Sequence, residues 1–363
     1  MHIFYEITGT GGAFVTGLVI IPRLGNNMSF IITPVCFGIS AVVWSFITDI
    51  GLRRDSDRKR GRKDKQSYWK AALSGISLFA ESIWVGCRLL FTSRKFVWLV
   101  PGYAIALYAH RYLENGVAPQ VARRFLGNSA WAQIMVGGSN FGELLGALSV
   151  LLFTNVIHTP MPWLRLDALM LLIVWYIPFW HPPSGRVGDA WVVAATFAPI
   201  SFGWAAGDVS LAAYIQASLS RLESKNKNVS ALGAVMAFLY SFYIVTYAIL
   251  GTFLGQYLDS VYNRSGGNNG GDIRQGLFYT TGVQFSIVCG LVLAATFVPR
   301  GSLAFNPRMV SDEPLDTDKI SDDGTATGDE LPVVPEVVLK KYSNSDDESD
   351  ISRADQKKTR ELV

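Results

Sequence analysis

Stretches of about 20 mostly apolar residues recur along this sequence, and few folds can accommodate them. A helix rises about 1.5 Å per residue, so each stretch is long enough to cross a hydrocarbon core of about 30 Å. In that medium every backbone N–H and C=O must be satisfied within the segment, which leaves the helix as the natural solution. Eight such stretches are legible, at residues 3–21, 28–51, 96–112, 130–153, 164–180, 190–212, 231–258 and 276–298. Hydrophobic residues make up 50% of the 363 residues and charged residues only 17%, below the roughly 25% typical of soluble domains. The excess apolar surface must face lipid. The expected fold class is therefore an all-α membrane protein, a polytopic helical bundle of about eight spans.

Charge orients the bundle. A dense basic run from Arg53 to Lys65 cannot cross a bilayer and, by the positive-inside rule, marks the cytosolic face. Lying between spans, it is a topology signal rather than a nucleic-acid site, and no nucleic-acid partner is expected. Lys70, Ser74, Ser77, Glu81 and Arg88 recur at helical intervals, drawing a polar stripe along residues 67–91; an amphipathic helix in the cytosolic interface is expected there, with a ninth crossing as the alternative. The chain thus divides into a two-span hairpin (1–51), a basic cytosolic loop with an amphipathic helix (52–95), a six-span unit (96–300) and an acidic cytosolic tail expected to be disordered (301–363). Alternation places residues 22–27, 113–129, 181–189 and 259–275 outside. The sequons at Asn27 and Asn263 then face outward as glycosylation candidates, whereas that at Asn228 faces inward. No basic n-region follows Met1, so membrane entry rests on the spans themselves. The expected location is a multi-pass position in the plasma membrane or a vacuolar or other endomembrane.

The chemistry of a classical active site is missing from the pattern. Cys36, Cys87 and Cys289 are scattered without metal-ligand spacing, and His2, His110, His158 and His181 fall at termini, span ends or loops. No HExxH or GxSxG motif is present, so no enzyme activity, cofactor or metal is expected. Ionisable groups inside spans cost at least about 2.5–3.5 kcal/mol on insertion scales, so they are functional hypotheses. Glu143 lies mid-span, with Ser139 and Asn140 on the same face and Gly138, Gly142 and Gly146 beside it. It reads either as a cavity-facing carboxylate that binds a proton or substrate, or as a structural carboxyl bonded across the glycine seam. Asp208, in line with Ser201, Trp204 and Gln216, either lines the same pathway or binds a helix terminus near the cytosolic end. Tyr240, Tyr243 and Tyr247 form a stripe, and Gln284 joins Thr280 and Thr281 in a polar patch; both read as substrate contacts or as packing. Arg111 and Glu114, with Arg123 and Arg124 beyond, read as an external gate or as a solvated rim.

Two spans, a basic loop with an interfacial helix, six more spans and a tail resemble spans five to twelve of the major facilitator superfamily. Local stretches are similar to its fungal members: Tyr5-Glu6-Ile7-Thr8-Gly9-Thr10-Gly11-Gly12, Arg23-Leu24-Gly25-Asn26-Asn27-Met28-Ser29-Phe30 and Val136-Gly137-Gly138-Ser139-Asn140-Phe141-Gly142-Glu143-Leu144-Leu145-Gly146. The resemblance implies secondary active transport of a small molecule or ion by alternating access, possible proton coupling, and a site at the interface of two six-span halves. It also implies that the first four spans lie upstream of Met1 or are supplied by a missing N-terminal half or a second copy. A non-transporting scaffold or a channel-like protein is the rival reading.

Overall fold

The computed structural model describes residues 2–46, 68–92, 95–181, 185–223, 230–269, 271–299 and 301–307. These belong to one compact unit, Met1–Asp316. They fold into helices, with no strand among the described residues. Helix α1 covers residues 2–29, α2 Ile32–Phe46, α3 Tyr68–Thr92, α4 residues 100–125, α5 Ala132–Phe153, α6 residues 161–179, α7 Val187–Glu223, α8 Ala231–Arg264 and α9 residues 274–295. Eight of them, all but α4, are long and apolar enough to cross a membrane. This is the architecture of a multi-pass membrane protein.

Local chemistry explains several boundaries. Ser230 caps α8 by accepting the Gly233 amide at 3.1 Å, and Asn128 caps the turn into α5 by accepting the Ala130 amide at 3.0 Å; each meets one of the donors a helix start leaves orphaned. In α1 the helical path continues past Pro22 but kinks at Gly25, whose φ of 77° suits glycine.

Two elements differ from expectation. The span expected at 96–112 does not stop at Tyr112: α4 runs on to Phe125. A π-type turn at Leu113–Val117 precedes Pro119, loosening the backbone where proline lacks its N–H. Residues 113–125, expected as an outer connection, are therefore helical. Helix α3, expected in the interface, packs along α8, with Gly86 so close that a Cβ there would lie 2.0 Å from the Ala234 carbonyl oxygen. Its exposed face carries Leu73, Ile76, Leu78, Phe79 and Trp84, apolar side chains that call for lipid rather than water.

Contacts fix the directions of the helices. Gly9 meets Asn140 while Gly17 meets Gln133, so α1 is antiparallel to α5. His110 meets Glu143 and Ser139 meets Glu114, so α4 is antiparallel to α5 as well. Gly138, Gly142 and Gly146 face Ala194, Ala198 and Phe202 in the same order, so α5 and α7 are parallel. Pairs Leu164–Gly207 and Asp167–Gly203 set α6 antiparallel to α7, and pairs Tyr103–Tyr240 and Tyr108–Tyr247 set α8 parallel to α4. Since α1 and α4 run the same way, a chain crossing a bilayer with both has room for a single crossing between them. With α4 as a crossing, helices α2 and α3 cannot both be full crossings; with α4 packed inside the bundle without crossing, the same directions let all eight candidate spans cross.

The first residues of the segment assigned to the tail are among those described. Residues 301–307 fold back on the α5–α6 connection, where Asn306 Nδ2 donates to the Val156 carbonyl at 2.7 Å and Arg165 reaches the Ser302 carbonyl. The basic run 53–65 and residues 308–363 lie outside the described residues.

Candidate functional site

Four helices converge on a buried charged cluster midway along the bundle. Helix α4 contributes His110, Arg111 and Glu114, α5 contributes Ser139 and Glu143, α7 contributes Ser201 and Trp204, and α1 contributes Glu6. Glu6, His110, Glu114, Ser139, Glu143 and Ser201 are each between 0 and 4% exposed. Glu143 is hydrogen-bonded to His110 Nε2. Glu114 Oε1 lies 3.6 Å from the same nitrogen. The other oxygen of Glu114, Oε2, takes a 2.7 Å ion pair from half-buried Arg111. The Ser139 hydroxyl donates to Glu114 Oε1 at 2.8 Å, so in the 2.7 Å contact between the two serines it is Ser201 that donates. Glu6 sits against Glu143, and the His110 ring stacks on Trp204 at 5.5 Å with planes 18° apart.

The glycine seam beside Glu143 sets this geometry. A Cβ at Gly138, Gly142 or Gly146 would stand 2.6, 2.0 or 2.4 Å from the carbonyl oxygens of Ala194, Ala198 and Phe202. Backbone-to-backbone approach of this kind is how small residues join helices in lipid. It seats α5 on α7 and aims Ser139 and Glu143, about 100° further round the helix, toward α4. The carboxylate of Glu143 thus reaches α4, and the seam itself serves α7.

A second polar strip wraps the other side of α4. The Tyr103 hydroxyl meets that of Tyr240 at 3.1 Å and neighbours Asp208. Gln284 Nε2 donates to the Tyr108 hydroxyl, and Tyr108, Tyr247 and Tyr243 follow one another at ring separations of 6.4 and 6.1 Å. A cavity of about 260 Å³ opens between α4 and α8, lined by Tyr112, Asn115, Gln120, Tyr247 and Thr252 among others. Tyr247 belongs to both strip and cavity.

Of the residues singled out in the sequence, Glu143 and Ser139 enter the charged cluster and Asn140 packs against Gly9 of α1. Tyr243, Tyr247 and Gln284 gather in the strip. Asp208 stands one turn beyond Trp204, well inside α7, which continues to Glu223. Asn27 and Asn263 are exposed on helical backbone; the Ser265 hydroxyl that completes the second sequon is engaged with the backbone of Asp272. Glu114 is a correction: expected at a solvated rim or gate, it is buried, because α4 does not end where its polar residues begin. His110 is another, since it is no span-end histidine but the centre of the cluster. Glu6 and Asp167 also escaped the sequence reading. The one available signal was the four-residue spacing of His110 and Glu114, which puts both on one helical face. Together with Glu143 they present one potential metal-ligand atom each, all within 4.8 Å of one another, although no metal site was expected. Compared with models of known protein families, with curated proteins and with solved structures, the chain matches none.

Proposed function

We propose that this chain carries a small solute across a membrane by alternating access, with proton exchange at the intramembrane acids around Glu143. The observation that carries the reading is the charged cluster itself. Glu6, Glu114 and Glu143, all buried, face the half-buried guanidinium of Arg111 and the buried imidazole of His110. A purely structural ion-pair network gains by closing its charges in balanced pairs, because an uncompensated buried charge is strongly destabilising. Here acids exceed the fixed cations, so the site needs a mobile cation, and a proton is the simplest. Tyr247, Gln284 and the cavity between α4 and α8 supply hydrogen-bonding groups and space for a polar solute on the other side of α4. The resemblance of the span pattern to the major facilitator superfamily points the same way.

The test uses full-length chain in liposomes with an entrapped pH-sensitive dye, challenged with a panel of sugars, amino acids, organic acids and inorganic ions. At least one solute is expected to drive proton movement, and Glu143→Gln is expected to reduce that movement to background while the protein stays folded and inserted. A Gln variant with wild-type flux would remove Glu143 from the proton path, and wild-type vesicles that respond to nothing on the panel would return the chain to the scaffold reading.

A further inference from the structure

The geometry points to a binding site for a divalent first-row transition-metal ion formed by His110, Glu114 and Glu143. Resting on the transport reading for its role, it names such an ion as the cargo or the coupling cation.

Three observations carry this. First, the donors are of the right kind and placement: one imidazole nitrogen and two carboxylates suit Mn²⁺, Fe²⁺, Co²⁺ or Zn²⁺. Ligand atoms about 2.1 Å from a tetrahedral metal stand about 3.4 Å apart. His110 Nε2 and Glu114 Oε1 are already 3.6 Å apart, His110 and Glu143 are in direct contact, and the widest separation in the triad is within 4.8 Å. Closing the set takes release of the proton between His110 and Glu143, so that this contact opens to ligand spacing, and a rotation of a carboxylate.

Second, charge calls for such an ion. Glu6 and Glu143 are hydrogen-bonded carboxyls and so share a proton; with a neutral imidazole, the cluster then holds one negative charge in excess over Arg111. A divalent cation that displaces that proton brings three carboxylates, one guanidinium and the ion to neutrality. Arg111 does not compete for the ion, since it is held on Oε2 of Glu114 while Oε1 faces the imidazole.

Third, the far side of the histidine is prepared for a ligating role. His110 Nδ1 is buried and finds no hydrogen-bond partner among the described residues, and so is Asp167 Oδ2. Asp167 is 1% exposed and stands within Coulombic reach of His110. When Nε2 binds a metal, Nδ1 keeps the proton and donates it, most often to a carboxylate. Asp167 is the buried carboxylate available for that role, and a hydrogen bond between the two would satisfy both orphaned atoms.

The experiment titrates Co²⁺ into the full chain in detergent and follows the visible absorption of the bound ion, with Zn²⁺ as competitor. Expected are saturation at one ion per chain, displacement by Zn²⁺, loss of affinity by at least 100-fold in His110→Gln, and a 10- to 100-fold loss in Asp167→Asn. Thermal unfolding of each variant confirms that it is folded. A folded wild-type chain that shows no saturable Co²⁺ spectrum overturns the proposal, as does saturation that survives His110→Gln unchanged. Binding without flux of any ion or panel solute in liposomes keeps the metal site and removes the transport reading. Proton-linked flux of an organic solute in a chain that binds no Co²⁺ does the reverse.

Discussion

Replacing Gly142 with alanine is the sharpest test of how the bundle is held together. The added Cβ would lie 2.0 Å from the Ala198 carbonyl oxygen and 2.8 Å from its carbonyl carbon and Cα. Ordinary contact starts at 3.4 Å, so α5 and α7 must part by about 1.4 Å at this point. None of the atoms in the way is the tip of a flexible side chain, so the helices themselves must move. Overpacking of this kind costs about 1–3 kcal/mol. A displacement of that size also takes the 2.7 Å contact between Ser139 and Ser201 out of hydrogen-bonding range, worth about 0.5–1.5 kcal/mol more. The expected loss is therefore ~2–4 kcal/mol, read as a lower midpoint of thermal unfolding in detergent. Gly251→Ala is the control: it is also in a helix interior, but its Cβ would meet nothing within 4 Å, so its stability should hold or rise slightly. If the two variants melt together, the close approach of α5 and α7 is not what seats Glu143.

Two further outcomes follow from the packing. In a cysteine-free background, and with α4 as a crossing, Phe30→Cys and Lys95→Cys should be labelled by an impermeant reagent from opposite faces of the membrane, because α1 and α4 run in the same direction; labelling from one face would mean that α2 and α3 both cross and α4 does not. At the far end of α4, Arg124 pairs with Asp259, which is 54% exposed, and lies over the Tyr262 ring at 4.5 Å. Asp259→Asn should cost under about 1 kcal/mol as an exposed pair, while Arg124→Ala, which also loses the ring contact, should cost more in the same unfolding assay.

The span pattern was legible because apolar length is a property of the local sequence, and Glu143 was legible because an acid amid apolar residues is conspicuous. The partners of Glu143 were not, since His110 lies 33 positions earlier and only the turn at 126–128 brings the two face to face. Glu114 was misplaced for a different reason. Glu114, Asn115, Gly116 and Pro119 read as a loop by propensity, and tertiary packing overrides that weak preference with a π-type turn. The stripe on α3 counted polar residues, whereas the side chains left exposed on that helix are chiefly apolar, a face that suits lipid in an interfacial helix and in a crossing alike. His110 seemed to belong to a span end only because the span was drawn to end at Tyr112.

Rigidity is unequally shared between the two helices that meet at the cluster. Helix α5 is seated by three glycines against main-chain carbonyls, so Ser139 and Glu143 are positioned by backbone contact and not by side-chain rotamers alone. Helix α4 is interrupted by π-type turns at Val100–Ile105, Leu113–Val117 and Val121–Phe125 and carries Pro101 and Pro119. Its internal hydrogen bonding is correspondingly less regular, which makes it the easier of the two to bend. The contacts that tie α4 to α5 are, moreover, the charged ones, His110 to Glu143 and Glu114 to Ser139. A cation entering the cluster adds attraction across this junction, and its departure leaves acids facing acids across it. A ligand shifts a conformational equilibrium only by its differential affinity for the two states. On the proposed reading, the junction of α4 with α5 is where such a difference would arise, because one side is fixed, the other can yield, and the force between them would depend on whether the cation is bound.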